Sequence, residues 1–244
     1  MPSRDTATVV SLKDQGKRGP TMTKTLLITG ASTGIGAATA RAATAMGWNV
    51  GLMARSADRI EALASELGDA ALPLAGDATD LAAQQAAVAQ TVERFGALDA
   101  AFANAGRGLD TPGTENGDPD EWRQLVDLNV MGVLYTARAA LPELRKSKGH
   151  LVLTGSAAGR RHIKGSIYSA TKWFVHGYGG NMSEEMREWG GRCTVISPGM
   201  VDTPFFDTPK PDKIKPEDVA DAVMFALESN PRAEVREIHI MPTG

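Results

Sequence analysis

The sequence predicts a single α/β domain built on an open, doubly wound parallel sheet of seven strands. Three observations carry this. Seven short apolar runs alternate with longer segments of helical period from Thr25 onward. No repeat at a fixed period and no internal linker divides that stretch. A glycine-rich turn, Gly30-Ala31-Ser32-Thr33-Gly34-Ile35-Gly36, joins the first apolar run to the first helical segment. Strands that are apolar throughout, alternating with helices, imply a parallel sheet covered on both faces.

The strands are expected at Thr25–Thr29, Asn49–Ala54, Ala71–Ala75, Asp99–Ala103, His150–Thr154, Arg192–Ser197 and Arg236–Met241. Each is a run of aliphatic or β-branched residues of strand length. The helices are expected at Gly34–Met46, Asp58–Leu67, Leu81–Phe95, Glu121–Leu144, Ser166–Trp189 and Pro216–Glu228. Pro216 suits the first turn of the last of these. Residues 1–21 differ: they are polar, aperiodic and contain Gly16-Lys17-Arg18-Gly19-Pro20. Their longest apolar run, Val9-Val10, falls short of a secretory signal core, and Asp5 and Asp14 argue against a transit peptide. They read as a flexible tail or start-site extension before a domain of residues 22–244, with Met22 an alternative start.

Composition narrows the class. The chain has 244 residues, 42% hydrophobic and 23% charged, which excludes a mainly disordered protein. No segment offers the roughly 18 uncharged apolar residues of a membrane span, so no membrane partner is expected. A net charge of −3 lacks the basic footprint of a nucleic-acid binder. One cysteine excludes an intramolecular disulfide and fits a reducing cytoplasm. His150, His162, His176 and His239 show no metal-ligand spacing with one another or with Cys193, so no metal is expected.

The glycine turn sits where a βαβ unit binds a pyrophosphate. Glycine permits close backbone approach, and the helix start offers N–H groups and partial positive charge. The spacing is Gly-x3-Gly-x-Gly. With the Thr29 that precedes it, this turn resembles the signature of the classical short-chain dehydrogenases/reductases. Further motifs of that family follow in order: Asn104-Ala105-Gly106 after the fourth strand, Asn129, Ser156 at the end of strand five, Tyr168-x3-Lys172, and Pro198-Gly199-Met200-Val201-Asp202-Thr203. Ala103 stands where the family has a first asparagine, and Ser156 to Tyr168 is one residue shorter than the common spacing. The resemblance covers about residues 24–244. It implies a Rossmann-type fold and hydride transfer between a nicotinamide cofactor and a carbonyl or secondary alcohol of a small molecule.

The residue types suit that chemistry. Tyr168 and Lys172, four apart on one helix, share a face. A neighbouring ammonium is expected to lower the phenol pKa, making a proton donor and acceptor near neutrality. Ser156 is expected to hold the substrate oxygen as charge develops on it. The family implies for Asn129 a water-mediated relay from Lys172 to solvent; its plainer reading is a mid-helix amide bonding backbone. The alternative for the whole chain is a non-catalytic dinucleotide sensor or scaffold on the same fold. Retention of Ser156, Tyr168 and Lys172 speaks against it.

For the cofactor, Arg55 stands at the end of strand two, 19 residues after Gly36, where NAD enzymes carry an acid. A guanidinium there suits a 2′-phosphate, with Ser56 as a further donor, so NADP(H) is the expected preference. Thr33 replaces the second basic residue found in many NADP-preferring relatives, which leaves NAD(H) possible. Asp77 and Ala78 match the pair flanking the adenine, although Asp77 also reads as a helix cap. Asn104 reads as support for cofactor and sheet. Val201 and Thr203 match positions at the nicotinamide amide, and Pro198-Gly199 turns beneath the ring. A short substrate lid is expected at about 203–215, with Phe205 and Phe206 as pocket lining or loop anchors. Arg160, Arg161, His162 and Lys164 form a basic loop, solvated or attracting an anion. Trp173, Phe174 and Tyr178 read as packing or subunit contact, and the family implies a homotetramer or homodimer.

Overall fold

Seven parallel strands form one sheet in the order β3-β2-β1-β4-β5-β6-β7 in this computed structural model, which describes residues 23–243. The expected tail at 1–21 lies outside the described residues. The strands are β1 (Thr25–Thr29), β2 (Asn49–Ala54), β3 (Ala71–Ala75), β4 (Ala100–Ala103), β5 (His150–Thr154), β6 (Arg192–Pro198) and β7 (Glu237–Ile240). The helices are α1 (Gly34–Ala45), α2 (Ala57–Leu67), α3 (Leu81–Phe95), α4 (Pro119–Val126), α5 (Gly132–Ser147), α6 (Ile167–Arg187) and α7 (Pro216–Glu228). The chain works outward from β1 to β3, then returns to place β4 on the other side of β1. That reversal opens a crevice at the carboxyl ends of β1 and β4, where ligands bind in such sheets.

Strand periodicity splits the core in two. Leu26 and Ile28 of β1 join Val50, Leu52, Phe102, Val152 and Ile196 beneath α1, α2 and α7. Leu27 points the other way, with Met53, Ala101, Leu151, Leu153 and Val195, beneath α3, α5 and α6. Successive side chains alternate across a strand, so a strand covered on both faces is buried at successive positions and mostly apolar. Cys193 is buried in the second core as an apolar filler. Phe174 and Tyr178 stack with centroids 5.6 Å apart and pack against the same core, while Trp173 lies outside, stacked on His162.

Two boundaries differ in kind from the sequence reading. The single helix expected at Glu121–Leu144 is two. Asp118 caps α4 by accepting from the Asp120 N–H, and Pro119 occupies its first turn. The helix then widens into a π-turn over Asp127–Met131 before α5 resumes. A π-turn inserts a residue without a polar break in the pattern, and it carries Asn129 into the interior. Strand five stops at Thr154, so Ser156 lies two residues beyond the strand, in a turn leading to the 3₁₀ segment Ala157–Arg160. The helix expected to end at Leu144 runs on to Ser147, and the remaining ends match or shift by one or two residues, as fraying ends do.

Candidate active site

One cavity of about 1180 Å³ opens at the carboxyl ends of the strands. Its floor begins with the glycine turn. Gly30 and Gly34 have φ of +67° and +53°, which side chains rarely adopt. A Cβ on Gly36 would collide with the Gly30 carbonyl oxygen and come within 2.9 Å of Asn104 Nδ2. Thr33 precedes α1 without a side-chain capping bond, and the first turn of α1 holds no acid. The positive end of α1 is therefore not neutralised by its own residues. This cradle, which side chains would fill, fits a dinucleotide pyrophosphate. Asn104 fixes it: its Nδ2 donates to the Thr29 and Gly30 carbonyl oxygens at 3.0 and 3.2 Å, and its Oδ1 accepts from Thr154 Oγ1 at 3.3 Å. One amide thus joins the ends of β1, β4 and β5.

Ser32, Thr33, Gly34, Ile35, Arg55, Ser56, Asp77 and Ala78 line the same cavity at this end. Arg55 is exposed at the end of β2. Asp77 does not cap α3. That role falls to Asp80, whose carboxylate accepts from Ala82 and Ala83 N–H, while Asp77 accepts from the N–H and hydroxyl of Thr79. Ala105, Gly106, Pro198, Gly199, Val201 and Thr203 line the middle. Gly36 and Asn129 lie behind the wall.

Ser156, Tyr168 and Lys172 line the other end together. Ser166 caps α6 by accepting from the Ser169 N–H at 3.0 Å, which starts the helix one residue before Tyr168. Ser156 Oγ accepts from the Ala158 N–H at 3.1 Å. Its hydroxyl proton points to the Tyr168 phenol oxygen on the cavity wall. Lys172 is buried, its Nζ donates to the Thr154 carbonyl at 2.8 Å, and burial brings its pKa down to about 8. Burial also holds the Tyr168 phenol above its ordinary value, and the Ser156 hydroxyl pulls the other way. The net shift is therefore opposite to the expected lowering, with burial as its largest cause. The ammonium is aimed at β5, and desolvation of the phenol outweighs the rest.

The Asn129 amide donates to the Arg107 carbonyl at 3.0 Å and to Thr171 Oγ1 at 3.2 Å, and its Oδ1 accepts from the Arg107 N–H at 2.9 Å. Through these contacts it fastens the segment after β4 to α6. It still faces the same space as Lys172, because a Cβ on Gly106 would lie 3.3 Å from Asn129 Oδ1 and 3.8 Å from Lys172 Nζ.

Phe205 lines the cavity, with its ring 5.7 Å from that of Tyr168, and touches Phe206 edge-on. The segment at 203–215 is pinned at its base by Asp202, which accepts from the Lys210 N–H at 2.7 Å and from Lys215 Nζ at 2.8 Å. A single bridge pairs Val201 with Ile214. Of the basic loop, Arg161 and Lys164 line the cavity, and Arg160 instead pairs with Glu237. The sequence reading passed over Arg107, Leu109 and Ile163, which also line it. No short motif marks them, since the loops that carry them meet only in the fold. Among the described residues, no group of three or more His, Cys, Asp or Glu side chains could hold a metal ion, and no helix is long and apolar enough to cross a membrane.

A doubly wound sheet with a glycine cradle and a Ser, Tyr and Lys wall defines an oxidoreductase of the short-chain class. Residues 24–213 match the short chain dehydrogenase family, and the chain belongs to it. An uncharacterized oxidoreductase of Staphylococcus aureus is 37% identical over 225 residues, covering 90% of this chain and 97% of that protein. Among solved structures, an alcohol dehydrogenase of the archaeon Thermococcus sibiricus complexed with 5-hydroxy-NADP superposes with a TM-score of 0.84 at 31% identity, covering 91% of this chain and 97% of that one. A 3-ketoacyl-(acyl-carrier-protein) reductase of Brucella melitensis complexed with NADH gives 0.82 at 27%, covering 88% and 96%.

Proposed function

We propose that this short-chain dehydrogenase interconverts a carbonyl and a secondary alcohol on a small molecule, using NADP(H). The observation that carries the reading is the shared wall of Ser156, Tyr168 and Lys172 in a cavity whose far end is the glycine cradle. When bound, the nicotinamide dinucleotide supplies or accepts the hydride. Gly30, Gly34 and Gly36 let the backbone approach its pyrophosphate, and Arg55 with Ser56 would receive the 2′-phosphate. Pro198, Gly199, Val201 and Thr203 would flank the nicotinamide.

The chain's own groups handle the oxygen and the proton. Ser156 hydrogen-bonds the substrate oxygen through its hydroxyl. Tyr168 gives its phenolic proton to that oxygen in reduction and takes it back in oxidation. Burial raises the phenol pKa, so the group stands as a proton donor at neutral pH. Lys172 places a positive charge beneath the ring and stabilises the phenolate as it forms. Phe205 and Ile163 offer apolar surface to the substrate's carbon skeleton.

The test is a panel of ketones, aldehydes and alcohols followed by NADPH and NADH absorbance, with Tyr168→Phe in parallel. Turnover in the wild type and its near-complete loss in the variant, with NADPH still bound, is the expected result. Robust turnover by Tyr168→Phe would overturn the assignment. Cofactor binding without turnover on the whole panel would favour the sensor reading.

A further inference from the structure

Behind the Ser156 turn lies a half-buried polar cluster that the chemistry above does not use. His176 stands one helical turn after Lys172 on α6, with its side chain 9% exposed. Its Nε2 is 3.1 Å from the Ser156 carbonyl oxygen and 3.3 Å from Ser197 Oγ. Its Nδ1 is 3.3 Å from Glu237 Oε1. Glu237, on β7, also accepts from Ser197 Oγ at 2.9 Å and pairs with Arg160. Arg160 closes the 3₁₀ segment that Ser156 opens. The turn is thus held at both ends, at the Ser156 carbonyl by His176 and at Arg160 by Glu237.

The space for the ring is built in. A Cβ on Gly159 would lie 2.5 Å from His176 Cδ2, and one on Gly155 would lie 3.1 Å from Nε2. No side chain can stand between the ring and the backbone carrying Ser156. From this we propose that His176 is a positioning residue for Ser156: its Nε2–H holds the Ser156 carbonyl, and Glu237 orients the ring. The inference rests on the role given to Ser156 above.

An acceptor faces each ring nitrogen, so a neutral ring satisfies one and an imidazolium both. Burial holds the ring toward its neutral form; the Ser156 carbonyl opposes this, and Arg160, Lys172 and His239 add to it. Glu237 faces it from β7. With a single proton, the Nε2–H form is the one that fixes Ser156. A hydroxyl that must meet a developing oxyanion tolerates little displacement.

The experiment measures kcat, KM and the NADPH dissociation constant for the wild type, His176→Ala, His176→Gln and His176→Asn. A glutamine amide reaches the place of Nε2 and can donate to the Ser156 carbonyl; the shorter asparagine amide stays on the Nδ1 side. The expected result is a kcat loss of roughly tenfold to a hundredfold in His176→Ala. NADPH affinity and KM should hold within about twofold, because the cradle lies at the other end of the cavity. His176→Gln should recover most of the loss and His176→Asn should not. Should the alanine variant fail to fold, the glutamine and asparagine variants alone decide: equal kcat values overturn the proposal. An unchanged kcat in His176→Ala also overturns it, as does a loss of NADPH affinity in step with kcat that glutamine does not repair. A wild type that binds NADPH and turns over nothing overturns the functional reading and this inference with it. An active wild type beside a fully active His176→Ala overturns this inference alone.

Discussion

Lys172 Nζ donates to the Thr154 carbonyl oxygen at 2.8 Å, which ties the end of β5 to the middle of the candidate wall. Its ammonium stands 5.7 Å from the centre of the Tyr168 ring. This is a buried charge with a backbone partner, and its pKa falls from 10.5 to about 8. Below the folded value both states carry the proton, and the folded state bears the cost of burying it. Between about 8 and 10.5 the unfolded chain keeps a proton that the folded chain has released. Stability therefore rises with pH through that window. A Lys172→Met variant lacks this group. The difference in unfolding free energy, wild type minus variant, should grow by on the order of 2–4 kcal/mol from pH 7 to about pH 10.5. Urea titrations across that range check it; a flat difference would contradict the burial of the charge. The variant should also lose most turnover.

Arg55 is exposed at the end of β2 and lines the cavity beside Ser56. No acid or other described residue pairs with its guanidinium, so nothing in the chain competes with an anionic ligand for it. Arg55→Ala should raise KM for NADPH by roughly tenfold to a hundredfold, the worth of a charge-assisted hydrogen bond. KM for NADH should move by less than about twofold. Parallel kinetics with the two cofactors make the comparison, and equal shifts would contradict the 2′-phosphate reading.

Much of the fold could be read from the chain because the physics is local in β1, β2 and β4 to β6. Strands covered on both faces are apolar at most positions, and the change of period marks each helix. The break between α4 and α5 was not legible. A π-turn at Asp127–Met131 adds a residue while the apolar pattern runs on. The glycine turn and the pair Tyr168 and Lys172 were legible as spacings. The aim of Lys172 toward Thr154 was not, because β5 lies 18 residues away in sequence. The partners of His176 lie farther still, on β6 and β7, so its place beside Ser156 exists only in the folded sheet.

Two glycines of similar chemistry should respond in opposite directions. A Cβ on Gly36 would strike the Gly30 carbonyl oxygen, whereas Gly180, exposed inside α6, has nothing within 4 Å of its Cβ position. Gly36→Ala should cost about 1–3 kcal/mol and abolish NADPH binding, because the cradle must open to admit the methyl group. Gly180→Ala should gain roughly 0.5–1 kcal/mol from helix propensity and leave cofactor binding unchanged. Thermal melts with and without NADPH report both. A Gly36→Ala protein that is shifted upward by NADPH as much as the wild type would contradict the cradle.

His150 opens β5 in the middle of the sheet, with its Nε2 2.7 Å from Thr194 Oγ1 on β6. Burial, helped by Arg192, lowers its pKa from 6.5 to about 3. The folded state therefore holds the ring neutral while the unfolded chain takes up a proton below 6.5. The unfolded state binds more protons throughout that interval, so stability falls as pH drops from 6.5 toward 3. His150→Gln keeps a polar group at the Nε2 position and cannot titrate there. Its stability should decline less steeply over the same range, so that the wild type loses its relative advantage as acid is added. Unfolding free energies at about pH 7, 5 and 4 decide the matter. Parallel curves for the two proteins would show that the ring is not held neutral inside the sheet.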